Sequence, residues 1–178
     1  MPVRMPEGFD SKITSVSAGL LHTTFLTEDG DVLSGNRGDD IVSGAGGDDR
    51  LKGGTCNDTL LGRDGDDRFN GGWANDKLDV DTSDDRLSGG RGHDDLDGGD
   101  GDDRLNGGWG ADNFVFNGGR DAIRNFDPGC DWWFWSHPGD QITIDIEGFD
   151  NFDDVIANAS QEGQNTVIEF NEDDSLTL

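Results

Sequence analysis

From Gly35 to Val115 the chain keeps a nine-residue period without a slip. The eighth position of every block is apolar: Val42, Leu51, Leu60, Phe69, Leu78, Leu87, Leu96, Leu105 and Phe114. The sixth is always aspartate: Asp40, Asp49, Asp58, Asp67, Asp76, Asp85, Asp94, Asp103 and Asp112. Glycines cluster early in each block, where they suit backbone angles closed to other residues and so permit tight turns. The last three positions of each block then form a short strand with one inward side chain. If one block turns the chain and the next turns it back, two blocks complete a coil, and block i stacks on block i+2.

That stacking predicts two ladders of carboxylates, one along each edge, because strands lie ~4.8 Å apart. Asp40, Asp58, Asp76, Asp94 and Asp112 make one ladder; Asp49, Asp67, Asp85 and Asp103 make the other. Like charges at such spacing repel, so each ladder requires a cation or protonation. Calcium suits the gaps because it accepts six to eight oxygens in loose geometry, from carboxylates and turn carbonyls, whereas magnesium demands a strict octahedron. The candidate carbonyl ligands belong to Gly35, Gly44, Gly46, Gly53, Gly62, Gly71, Gly89, Gly98 and Gly107. One ion per gap gives about seven ions. Asp31, sixth in the degenerate block LTEDGDVLS, is a candidate for one more. Each block buries about one apolar side chain, little against the entropy of ordering nine residues, so the metal is expected to be obligatory for folding.

The block resembles the G-G-x-G-x-D-x-U-x pattern of the RTX family, whose repeats form calcium-binding parallel β-helices. The resemblance covers about half the chain and implies an all-β fold, a right-handed parallel β-roll. It also implies export by a type I secretion machinery through an uncleaved C-terminal signal, and hence a secreted, extracellular protein. Three blocks depart from the pattern at the fourth position, with Cys56, Ala74 and Ser83, and block six, VDTSDDRLS, has no turn glycine. Seventh positions are often basic (Arg50, Arg68, Lys77, Arg86, Arg104) and should point outward, where charge balancing on a solvated face is their simplest role.

Residues 1–34 read as an N-terminal β cap, with strands between Ile13 and Ser34 and a turn at Glu28–Asp31. The stretch looks like one strand unit of a chromosome-condensation-regulator-type propeller, but a single copy cannot close one. Residues 116–178 read as a C-terminal cap: Phe152, Val155, Ile156 and Ala159 keep helical spacing, and Thr166–Phe170 with Ser175–Leu178 form a hairpin. Within it, DWWFWSHPGD interrupts the family-like ending. Trp132 to Trp135 are expected to plug the apolar end of the roll; the competing reading is an exposed patch for a glycan, lipid or protein partner.

Composition adds boundaries. A formal net charge of -26, from 39 acidic and 13 basic residues, repels nucleic acid and anionic membranes. No stretch has the length and apolarity of a membrane span or a signal-peptide core. Cys56 and Cys130 make no disulfide framework or C-x-x-C motif and are read as unpaired. His22, His93 and His137 lie far apart with no catalytic motif around them, and the carboxylates are serially equivalent, whereas acid–base chemistry needs two in unlike environments. A binding and structural module is expected rather than an enzyme. The alternatives are a recognition module presenting Trp132–Trp135, or the C-terminal part of a larger secreted enzyme or adhesin.

Overall fold

The computed structural model describes residues 15–18, 23–26, 30, 32–127, 129–132, 135–137, 139–145, 159–162, 165–169 and 173–178. The strands stack into a parallel roll with two faces. Even-numbered strands form one sheet: β4 (Ile41–Gly46), β6 (Thr59–Asp64), β8 (Lys77–Asp79), β10 (Asp95–Asp97), β12 (Asn113–Phe116) and β16 (Gln141–Ile144). Odd-numbered strands form the other: β3 (Val32–Arg37), β5 (Arg50–Thr55), β7 (Arg68–Trp73), β9 (Arg86–Arg91), β11 (Arg104–Trp109) and β13 (Arg120–Arg124). Each residue pairs with the residue eighteen further on, as in Leu51 with Phe69 and Leu60 with Leu78, so two blocks do make one coil.

Eighth-position side chains point inward from both sheets and form the core. Val42, Leu60, Leu78, Leu96 and Phe114 are fully buried on one side, facing Leu51, Phe69, Leu87 and Leu105 on the other. With one buried apolar residue per block the core is a single column, which explains why a chain of this composition, rich in aspartate and glycine, can still close around it.

The ends are capped by antiparallel pairs. The hairpin of β1 (Ser15–Ala18) and β2 (Thr23–Leu26) lies against β4 and covers one end of the even sheet. At the other end β17 (Ala159–Glu162), β18 (Asn165–Glu169) and β19 (Ser175–Thr177) extend the odd sheet beyond β13. These pairs cover edges that would otherwise present unpaired backbone groups. The expected C-terminal hairpin is present as β18 and β19. The expected helix is not matched where it can be checked: Phe152, Val155 and Ile156 lie outside the described residues, and Ala159 opens a strand, paired with Ile168.

The coil runs on past Val115, where the unbroken nine-residue period ends. β13 continues the odd sheet with Ile123 in the core, as the end of a tenth block, FNGGRDAIR, in which Phe116 replaces the first glycine. β16 continues the even sheet, with Phe114 paired to Ile142. The spacing there is twenty-eight rather than eighteen residues, and the excess is a hairpin, β14 (Cys130–Trp132) and β15 (Trp135–His137), that joins neither main sheet.

Candidate metal centre

Two aspartate ladders run along the edges of the roll, immediately before the strands. On one, the backbone N–H of Asp40 donates to Oδ1 of Asp58 at 2.8 Å, and the same bond joins Asp58 to Asp76, Asp76 to Asp94 and Asp94 to Asp112. On the other, Asp49 donates to Asp67, Asp67 to Asp85 and Asp85 to Asp103, at 2.7–2.8 Å. All nine aspartates are buried to within 3% of full burial. The structure thus assembles the nine predicted carboxylates into the two predicted sets. Asp31 lies outside the described residues.

Each ladder is one rung longer than the period suggested. Asp121 accepts the Asp103 N–H at 3.1 Å, and Asp140 accepts the Asp112 N–H at 2.9 Å. Asp121 could have been found by continuing the count of nine through FNGGRDAIR, whereas Asp140 is displaced by the ten-residue insertion. It differs in function too, because its second oxygen accepts the N–H of Asp127 at 2.8 Å and so clasps the base of the β14–β15 hairpin.

Eight further rungs leave their second oxygen without a hydrogen-bond partner. Oδ2 of Asp58, Asp67, Asp76, Asp85, Asp94, Asp103, Asp112 and Asp121 is buried with no hydrogen-bond partner. Orphaned buried acceptors are costly and rare in folded proteins, and a series of eight in equivalent places is an acceptor set that a cation fits. The carboxyls respond accordingly. Burial pushes Asp58, Asp67 and Asp94 up to about 6, Asp76 and Asp103 to about 7, and Asp85 and Asp121 to about 8. The backbone N–H bond opposes this shift, and for most rungs a neighbouring aspartate adds to it.

The turn glycines hold this arrangement for two separate reasons. At the first position the residue faces inward against its own block's carboxylate: a Cβ on Gly35 or Gly98 would stand 2.6 Å from Oδ2 of Asp40 or Asp103. Gly44, Gly53, Gly62, Gly71, Gly89 and Gly107 are in the same contact with Asp49, Asp58, Asp67, Asp76, Asp94 and Asp112. At the fourth position the backbone is left-handed in all nine blocks, including Cys56 (φ 81°), Ala74 (78°) and Ser83 (87°), where the glycine is missing. Gly46 has neither demand: nothing lies within 4 Å of its Cβ position and its φ is ordinary. Turn carbonyls face the next coil, as the Gly47 oxygen does, 2.6 Å from a Cβ on Gly65.

A second set of ladders at the fifth position was not foreseen. Asp39 accepts from the Asn57 N–H, Asn57 from Asn75, and Asn75 from His93, at 2.8–3.1 Å. Nδ1 of His93 faces the Ala111 N–H at 2.9 Å, so this imidazole takes the place of an amide in a turn ladder. His22 and the side chain of His137 lie outside the described residues. Cys56 is exposed with a free thiol, and the side chains of Cys130 and of Trp132 to Trp135 are not among those described.

A family model for the RTX calcium-binding nonapeptide repeat (4 copies) matches residues 26–55, 43–78, 53–87, 79–114 and 88–123, more than half the chain. The chain belongs to the RTX calcium-binding repeat family. No curated protein matches it in sequence. Among solved structures it is similar to the extracellular lipase LipA from Serratia marcescens, at 20% identity and a TM-score of 0.37. That match covers 80% of this chain and 38% of the lipase, so the RTX chain spans well under half its neighbour's length.

The residues fit calcium in the RTX manner rather than a compact side-chain site. Among the described residues there is no group of three or more His, Cys, Asp or Glu side chains able to hold a metal. Ligation would instead combine one or two carboxylates with turn carbonyls, an all-oxygen set of the loose kind that calcium accepts. Among the described residues no helix is long and apolar enough to cross a membrane.

Proposed function

We propose that this RTX roll is an extracellular module that folds on binding about eight calcium ions, one in each gap between stacked turns. The observation that carries this reading is the series of eight buried carboxylate oxygens without a hydrogen-bond partner, from Asp58 to Asp121. Five rungs from Asp40 to Asp112 leave four gaps, and five from Asp49 to Asp121 leave four more. Asp140 closes its ladder with backbone N–H groups on both oxygens and calls for no ion.

The proposed ligands are the sixth-position aspartates and the carbonyls of the turns that begin at Gly35, Gly44, Gly53, Gly62, Gly71, Gly89, Gly98 and Gly107. Bound calcium neutralises the ladders and supplies stability that only the folded state can collect. In calcium-poor cytosol the chain would stay unfolded and pass an export channel; in millimolar calcium outside it would fold. Its role is binding and structure rather than catalysis, since the carboxylates repeat in equivalent turns.

Far-UV circular dichroism of the chelator-stripped chain, titrated with calcium and with magnesium as control, tests this together with a calorimetric ion count. A cooperative coil-to-β transition with calcium alone is expected. Full β-structure without metal at pH 8, where the ladders are ionised, would overturn it.

A second reading keeps the roll as a scaffold for recognition at Trp132–Trp135. It is favoured by the backbone of β14 and β15, which forms a separate two-stranded unit that neither sheet needs. Tryptophan fluorescence that stays open to quenchers in calcium would support it; full protection would favour the plug.

A further inference from the structure

The two sheets share one repeat, yet their outer faces differ in charge. Strands β3, β5, β7, β9, β11 and β13 carry nine of the chain's 13 basic residues and one acid, the buried ladder residue Asp121. In register along this sheet, Arg50 pairs with Arg68, Arg68 with Arg86 and Arg86 with Arg104, all four exposed. Among the described residues none of the four is in an ion pair, whereas both basic residues of the even sheet are: Arg63 with Asp81 at 3.1 Å and Lys77 with Asp79 at 2.8 Å. Like charges directly opposite one another on a sheet are unfavourable, so this column is a cost to the fold that an external anion would relieve.

Five residues further along the same strands runs another column, Arg37–Thr55–Trp73–Arg91–Trp109, with Lys52, Asn70, Ser88 and Asn106 in register between the two. The Arg91 guanidinium lies between the two indoles, 4.6 Å from the ring centre of Trp73 and 4.7 Å from that of Trp109. Both tryptophans are exposed, at 59% and 70%. Such contacts brace rings that would otherwise be free to turn. Trp73 also walls a groove of about 490 Å³ whose other walls include Arg37, Lys52, Thr55 and Asn70.

We propose that this face binds an acidic polysaccharide, a polyuronate chain laid along the axis of the roll. The planar guanidinium fork matches a carboxylate in two-point contact. Successive arginines recur at the strand spacing of ~4.8 Å, close to the length of one pyranose ring, so one uronate meets one coil. The aromatic wall with amide and hydroxyl neighbours suits a sugar ring with its apolar face on Trp73 and its hydroxyls on Asn70 and Thr55. A broad anionic surface such as a bilayer or a DNA duplex laid on this face would also meet the exposed turn aspartates along its edge, Asp48, Asp66, Asp84 and Asp102, which favours a single narrow chain.

The proposal needs the folded roll, and the test is run on the full chain in calcium with its β-signal monitored by circular dichroism. Hexagalacturonate, too short to gel with calcium, is titrated calorimetrically at low salt, with cellohexaose, a sulfated hexasaccharide, anionic vesicles and duplex DNA as comparisons. Binding of hexagalacturonate is expected, with none of cellohexaose. The double variant R68S/R86S should weaken binding about tenfold, W73A should also weaken it, and K77S on the other sheet should leave it unchanged. Absence of binding by a folded roll, indifference to R68S/R86S, or tighter binding of the sulfated sugar, the vesicles or DNA would overturn the proposal. A chain that shows no β-signal in calcium would sink the calcium reading as well, so the two failures are separable.

Discussion

The turns of this roll come in two kinds, and the contrast explains the repeat. In most, a glycine leads and the aspartate five residues later folds its carboxylate against it, as in Gly71 with Asp76. In two, an apolar side chain leads: Val80 before Asp85 and Phe116 before Asp121, both buried in the core. The two apolar-led aspartates have the highest carboxyls of the series, about 8, against about 6 to 7 behind glycine. Desolvation is the leading cause in each, and neighbouring aspartates add to it: Asp103, Asp67 and Asp66 around Asp85, and Asp103, Asp102 and Asp174 around Asp121. Valine and phenylalanine add a second inward side chain to the apolar column, which glycine cannot supply. Block six and block ten therefore gain core where the other blocks keep a glycine against the carboxylate.

The contrast can be broken most strongly with protons. Seven ladder carboxyls, those of Asp58, Asp67, Asp76, Asp85, Asp94, Asp103 and Asp121, rise in the fold from an ordinary 3.8 to about 6 to 8, so their protonated forms favour folding. That contribution is complete below pH about 4 and is lost as pH rises through about 6 to 8. The metal-free chain should accordingly gain β-structure between pH 8 and pH 4, while calcium affinity falls over the same interval, because metal and protons compete for the same oxygens. Circular dichroism across that range with and without calcium checks both; an apo chain that stays equally unfolded at pH 4 would refute the account.

Next in size is Asp76→Ala. It strips the Asp58 N–H of its acceptor and removes a rung shared by two gaps, so a loss of ~2–3 kcal/mol and about two fewer ions by calorimetry are expected.

Val80→Gly removes the extra inward side chain of block six and should cost the fold ~1–3 kcal/mol. Because folding and binding are coupled, its calcium midpoint should rise; a midpoint that stays put would contradict the division between the two kinds of turn.

The smallest effect sharpens the contrast between glycines. Gly46→Ala should change stability by less than ~0.5 kcal/mol, because the Cβ meets nothing and φ is ordinary. Gly72→Ala, at φ 116° and against the Gly54 carbonyl, should cost ~1–2 kcal/mol or more. Thermal unfolding of the two in calcium separates them.

Much of this architecture was legible in the chain. The inward column from Val42 to Phe114, the pairing of alternate blocks and both aspartate sets follow from a period of nine and the alternation of strand faces. What escaped was hidden where the period is damaged. Block ten lost its leading glycine to Phe116, and Asp140 was carried ten residues out of step by the β14–β15 hairpin, so the last two rungs looked like a cap. Helical spacing around Phe152 could not settle what Ala159 does, since a strand against Ile168 satisfies the sheet's open edge.

The sequence by itself determined the repeat unit, its one buried side chain and its one buried carboxylate, because these are local and recur in every block. Only the tertiary structure decided which seventh positions stand side by side. In the chain Arg50, Arg68, Lys77, Arg86 and Arg104 form one scattered set. Folding deals alternate blocks to opposite sheets, which places the four arginines in a single column and leaves Lys77 beside Asp79 on the other face. The physical reason is the coil itself: neighbours in space are eighteen residues apart, and a property of the stacked face exists only once the stacking does.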